Sequence, residues 1–229
     1  MNVTRLPFNV EMLNALRDGR KGQTRRPVKI KPHWTLTSLE LVSSNHPNAK
    51  KQRPGVIVQH HGRHPMMKNH LVSAPCLPGE WVYVLEPYAT LHRGTCEPIP
   101  YHDRDVREVR YQADERPEIA EACAHIRGYK WMRAEIMPRE LSRFTLKTTG
   151  LRVEYLNDIT ASDAIAEGMD PNSPDPVADF RETWARIYGP RHWQLNPPVW
   201  VIDFEVLQGN IDRYLSQHEN LNQHDQGIL

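Results

Sequence analysis

The sequence predicts an α+β fold, a mixed β-barrel with short flanking helices, and three observations carry that reading. Trp81–Leu85 and Val199–Val206 are runs of β-branched and aromatic residues bounded by turn residues, the pattern of buried strands. The helical patterns, Val10 to Arg17 and Val177 to Tyr188, are short. Strands and helices do not alternate regularly, which argues against a doubly wound parallel sheet.

Taken in order, Val10 to Arg17 places Val10, Met12, Leu13 and Leu16 near helical spacing, with Asn9 as a candidate cap and Gly19 as a stop. A compact basic loop, Arg20 to Arg26, follows and ends at Pro27. Residues 28–78 are rich in Pro, His, Ser, Asn and Lys, and only Gly55–Val58 reads as a strand, so this stretch is expected to be an insertion. Pro78-Gly79 is a turn introducing the strand Trp81–Leu85. Val106–Tyr111 reads as a short strand, and Glu115 to Arg127 as a short helix or loop excursion.

Phe144 to Tyr155 alternates well, with Gly150 expected at a bulge or turn. Thr160, with Asp163 three residues later, marks the start of a helix that Gly168 stops. After a proline-rich loop, Val177, Phe180, Trp184 and Ile187 are expected on one apolar helix stripe. The domain is expected to occupy residues 1–207, and Gln208 to Leu229 to form a tail or an attached helix. Trp81 and Trp200 are expected to pack in the core.

Composition narrows the function classes. The chain has 229 residues, 39% hydrophobic and 25% charged, enough apolar content to bury a core. No run approaches the roughly 20 apolar residues of a membrane helix, and the N-terminal segment has no signal-peptide pattern. With three cysteines (Cys76, Cys96 and Cys123), a disulfide framework is not expected and a reducing, cytoplasmic setting is. The formal net charge of +1 excludes coating of nucleic acid by bulk charge, though not a local basic cleft. His60, His61, His64, His70 and Cys76 fit no standard zinc spacing, so no metal site is expected. Triad, Walker and dinucleotide motifs are not found.

Five blocks carry a family resemblance. Asp18 to Arg26 resembles the G-x-K-x-x-T-x-R signature of the ASCH superfamily, a PUA-like group associated with RNA and modified nucleosides. Pro78 to Val84 is similar to the P-G-D-x-L-W-V strand of its phage and prophage members, and Ile136–Arg139 with Ser142–Phe144 to their H-M-P-R-x-x-S-R segment. Leu156–Ile159 with Asp163–Gly168 resembles their L-x-D-I-x-x-x-D-A-x-A-E-G run, and Asn196–Phe204 their last strand. The blocks stand in family order between residues 6 and 207. The chain departs from the pattern at Gly22, where phage members carry threonine, and at Leu85-Glu86, where they carry an arginine before the glutamate. That change removes one positive charge from the expected cleft.

The resemblance implies a PUA-like barrel and a basic cleft for a nucleobase, nucleoside or RNA. Small bacterial members include amidohydrolases that deacetylate N4-acetylcytidine with a lysine, a threonine and a glutamate, and the matching positions are Lys21, Thr24 and Glu167. A threonine hydroxyl needs a base to become a nucleophile. Lys21 would be that base, held close to the Thr24 hydroxyl on one loop, with Arg20, Arg25 and Arg26 lowering its pKa. Glu167 would orient the lysine, return a proton to the leaving amine or activate water, and N–H groups of the Gly22 loop would steady an oxyanion. No cofactor is implied.

Two other classes stay open on the residues alone. A non-catalytic RNA-binding module would use Arg25, Arg26, Arg139, Arg143 and Trp131, with Glu86 accepting from a cytosine amino group unless it is a solvent-facing strand end. A phage accessory protein would bind a protein partner through the insertion or the tail.

Overall fold

The computed structural model describes residues 2–42, 53–60, 69–92, 95, 97–104, 106–115 and 131–225. Its architecture is α+β. In chain order the strands are β1 (Val3–Pro7), β2 (Gln23–Pro27), β3 (Trp34–Leu36), β4 (Gly55–His60), β5 (Asn69–Ser73), β6 (Trp81–Leu85), β7 (Tyr88–His92), β8 (Val106–Tyr111), β9 (Phe144–Tyr155) and β10 (Pro198–Gln208). The α-helices are α1 (Val10–Arg17), α2 (Ala161–Ala166), α3 (Pro176–Tyr188), α4 (Pro190–Gln194) and α5 (Ile211–Asp225). Hydrogen bonding orders β1-β6-β9-β10-β2 in one sheet, β3-β4-β5 in a second and β7-β8 in a third. These described strands form open sheets and not the closed barrel that the sequence suggested.

The chain divides into two compact units, residues 1–19, 81–147 and 206–229 in one, residues 20–80 and 148–205 in the other. In the first unit β1 runs parallel to β6, from Val3 opposite Trp81 to Pro7 opposite Leu85. Between them α1 is capped by Asn9, whose side chain accepts from the Met12 N–H at 2.8 Å, and it ends where Gly19 takes φ of 70°. Leu85, Tyr88, Ala134, Met137 and Leu141 build a buried cluster in this unit. After β10 the described chain forms helix α5. Ile211 is buried, the Asn210 amide donates to the carbonyls of Arg139 and Ser142, and Tyr214 stacks on buried Trp81.

In the second unit α2 begins with a capping box. Thr160 accepts from the Asp163 N–H at 3.1 Å and Asp163 from the Thr160 N–H at 3.2 Å. Helix α3 starts at Asp175, whose carboxylate accepts from the Ala178 N–H, with Pro176 in the first turn. Phe180 and Trp184 are buried against Leu156, Ala164, Val199 and Val201. Burying such side chains contributes on the order of 1.5–3 kcal/mol each. Ile187, expected on that stripe, is 40% exposed, and Tyr188 packs there instead. At about 100° per residue, Ile187 falls about 20° beyond Phe180 and Tyr188 about 20° beyond Val177, so the two stand at opposite edges of the stripe and the packing chooses Tyr188.

Two further expectations change. The described part of residues 28–78 holds three strands where one was expected, since β3 and β5 are too short and polar to show a period while β4 is buried along Gly55–Val58. Strand β9 runs unbroken through Gly150, with no turn there. A Cβ at Gly150 would stand 2.6 Å from an Asp203 carboxylate oxygen, so glycine leaves room for that side chain. The expected excursion from Glu115 to Arg127 lies outside the described residues after Glu115.

Gly55 meets backbone, where yielding is hardest. A Cβ there would lie 2.2 Å from the Val72 carbonyl oxygen and 2.9 Å from the Ser73 Cα on the paired strand β5. Gly55→Ala is expected to destabilise by about 1–3 kcal/mol through overpacking. The check is a lower urea midpoint at unchanged m-value.

Candidate functional site

The site grows from the pairing of β2 with β10, in which Arg25 lies opposite Val201 and Thr24 opposite Ile202. Side chains alternate along a strand, so Gln23 and Arg25 share the face of Val199 and Val201, toward α2 and α3. Thr24 and Arg26 take the other face. The basic segment read as a loop therefore becomes a strand from Gln23 onward.

Its first three residues cap the end of α2. The last carbonyls of a helix have no intrahelical partner. Here the Gly22 N–H donates to the Ala166 carbonyl at 2.9 Å, the Lys21 amine to the Glu167 carbonyl at 2.7 Å, and the Arg20 guanidinium to the Gly168 carbonyl at 2.7 Å. Two of the donors are cations, matched to the negative end of the helix. The Gly22 N–H is thus occupied and does not offer the expected oxyanion contact.

Lys21 also donates to Glu167 Oε2 at 2.6 Å, and the two side chains are 0% and 2% exposed. Burial pulls the Lys21 ammonium below its ordinary range. Glu167 pulls it back through charge and hydrogen bonding, while Arg26 and Arg25 push it further down. A lysine of this kind stands closer to acting as a base than a surface lysine does.

Around the pair runs an arginine–carboxylate network. Arg25 is buried, meeting Glu154 at 3.0 Å, Asp163 at 3.3 Å and Glu167 Oε1 at 3.8 Å, and donating to Gln23. Gln23 in turn donates to Asp203 at 2.7 Å and Asp163 at 3.2 Å, and Arg152 joins Glu154, Asp163 and Asp203. For Asp163, burial alone would raise the pKa. Hydrogen bonds from Thr160 and Gln23 and the charge of Arg25 bring it down to about 2 from 3.8. A depressed carboxylate stabilises the fold above its unfolded pKa and loses that contribution as pH falls through its folded one. Stability is therefore expected to drop between pH 3.8 and about 2, and Asp163→Asn to flatten that window in acid titrations followed by circular dichroism.

Some polar atoms are left over. Thr24 Oγ1, Glu167 Oε1 and Arg25 Nε are buried without a hydrogen-bond partner among the described residues. The expected bond between the Lys21 amine and the Thr24 hydroxyl is therefore not made. The helix end and the Glu167 carboxylate hold the amine, and the strand fixes Thr24. Buried orphan groups are uncommon in native proteins and mark candidate ligand positions.

The other sequence-predicted residues lie in the first unit. Glu86 is fully buried and not a solvent-facing strand end, and Arg143 grips it in a two-point pair at 2.9 and 2.7 Å. Burial raises the Glu86 pKa, and the hydrogen bond and charge of Arg143 oppose the rise. Arg143 also meets Asp114 at 2.5 Å and lies over the Tyr111 ring at 3.6 Å, and Arg17 closes the cluster on Asp114. Arg139 pairs with Asp212 of α5. Trp131 is half-buried against Ala89 and Leu91. Three of the predicted cations, Arg25, Arg139 and Arg143, are thus engaged with carboxylates of the chain itself, Arg139 at the surface. Reading from sequence missed Gln23, Arg152, Glu154 and Asp203. Only alternation on β2, β9 and β10 could have placed them on one face.

Comparison with protein-family models, curated proteins and solved structures finds no match to this chain. Among the described residues, no group of three or more His, Cys, Asp or Glu is placed to hold a metal ion, and no helix is long and apolar enough to cross a membrane. His61 and His64 lie outside the described residues.

Proposed function

We propose that this chain is an ASCH-type protein on a PUA-like scaffold, acting in the cytoplasm of a bacterial or phage-infected cell. It recognises a nucleobase or nucleoside at Lys21, Thr24 and Glu167 and hydrolyses the amide of an acylated cytidine. One observation carries this reading: within a buried Lys–Glu pair Glu167 keeps one oxygen without a hydrogen bond, and the Thr24 hydroxyl, on the other face of β2 from Arg25, is likewise buried without a partner among the described residues. A stability network closes its hydrogen bonds, whereas a site keeps some open for a ligand. The engagement of Arg25 with Glu154 and of Arg143 with buried Glu86 favours a nucleoside over phosphate-backbone binding at these residues.

In the reaction, water and the N4-acetyl amide give the exocyclic amine and acetate. The Thr24 hydroxyl attacks the acetyl carbonyl and its ester is then hydrolysed. The Lys21–Glu167 pair holds the proton and returns it to the leaving amine. The test is release of cytidine from N4-acetylcytidine by purified wild-type protein beside Thr24→Val. Turnover by the wild type alone supports the reading. No turnover across a panel of acylated nucleosides sinks it and leaves binding without catalysis.

A further inference from the structure

The sheet β3-β4-β5 carries a cavity of about 380 Å3 lined by Lys29, Lys31, Trp34, Val58, His70 and Val72 among others. Ligand pockets commonly fall in the range of about 300–1,000 Å3. Register explains its floor. Trp34 lies opposite His60, Val58 opposite His70 and Val56 opposite Val72, so these side chains share one sheet face. Val58 and Val72 give an apolar base, and His60 and His70 meet the Trp34 ring edge-on at 5.1 and 5.9 Å.

A tight turn builds the mouth. The Trp34 N–H donates to the Lys31 carbonyl at 3.1 Å, with Pro32 next and His33 in the left-handed region at φ of 68°. Proline second and positive φ third is the type II pattern, which normally asks for glycine at the third position. Holding histidine there is a strained way to set Lys31 beside Trp34. Lys29, two residues earlier, also lines the cavity. Both lysines are exposed, and neither pairs with a carboxylate among the described residues. That contrasts with the neutralised arginines around Glu167.

An aromatic ring over an apolar floor with two unneutralised ammonium groups at its rim matches a flat base joined to a phosphate. We propose that this cavity takes one nucleotide unit of single-stranded RNA, the base against Trp34 and the phosphate against Lys29 and Lys31. The inference does not rest on amide hydrolysis at Lys21, and the two sites have no residue in common.

The experiment uses the full chain and a fluorescein-labelled ten-nucleotide oligouridine, followed by anisotropy across salt concentration. The double variant Lys29→Glu/Lys31→Glu is expected to weaken binding at least tenfold and to flatten the salt dependence. Trp34→Ala is expected to weaken it about tenfold, and Trp34→Phe, which keeps a stacking face and guards against a folding defect, to restore most of it. A 5-iodouridine version of the same RNA should photo-crosslink to the peptide carrying Trp34, a readout blind to events at Lys21. Displacement by uridine 5′-monophosphate would assign the cavity to a free nucleotide, and resistance to it to a strand. Unchanged affinity in the lysine and tryptophan variants, or crosslinks mapping only to other peptides, overturns the proposal.

Discussion

Lys21→Met is expected to destabilise the protein by about 3–5 kcal/mol, as is Glu167→Leu, because each leaves one buried member of an ion pair without its counter-charge. The lysine variant also strips the donor from the Glu167 carbonyl at the end of α2. Removing both charges together is a different matter. A matched apolar pair has no desolvation penalty to offset, so Lys21→Met/Glu167→Leu is expected to lie far closer to wild type than the sum of the singles. Arg25, 3.8 Å from Glu167 Oε1, should soften the loss in Lys21→Met, so Glu167→Leu is expected to be the more damaging single change. Urea denaturation of the four proteins measures the coupling. Additive singles would mean that the pair is not the unit its geometry suggests.

Thr24→Val is expected to separate function from stability. The Thr24 hydroxyl is buried and bonds to nothing described, so replacing it with a methyl of similar shape loses no hydrogen bond and removes an unsatisfied group. Folding stability should be unchanged or slightly higher. Under the proposed reaction the same change deletes the nucleophile, and turnover of N4-acetylcytidine should fall by about a thousandfold or to background. A variant equally stable and equally active would remove Thr24 from the chemistry. A variant that loses stability would show that its hydroxyl has a structural partner.

Much of the local structure was legible in the residues. Asn9 before an apolar helical run and Thr160 with Asp163 are start signals whose physics is contained within one turn, whereas the cap Asp175-Pro176 was hidden in a proline-rich loop. Strand β6 and the Val199–Ile202 part of β10 are continuous apolar runs, which a buried position accommodates. Strand β2 was not legible in this way. Gln-Thr-Arg-Arg-Pro has neither apolar alternation nor β-branched enrichment, and it is a strand because β10 offers it a ladder and because carboxylates from β9 and α2 neutralise Arg25. The same holds for β3 and β5, which β4 recruits.

By itself the sequence determined where α1 and α2 begin, where β4, β6 and β10 lie and which side chains could carry chemistry, since those depend on contacts within a few residues. The tertiary structure decided what the charges do. It turned a basic stretch into the cap of α2, sealed Lys21 against Glu167, closed Arg143 on Glu86, and left Lys29 and Lys31 unneutralised beside Trp34. A charge interacts through space and through the dielectric around it, so its partner can stand more than a hundred residues away in the chain, as Glu167 does from Lys21.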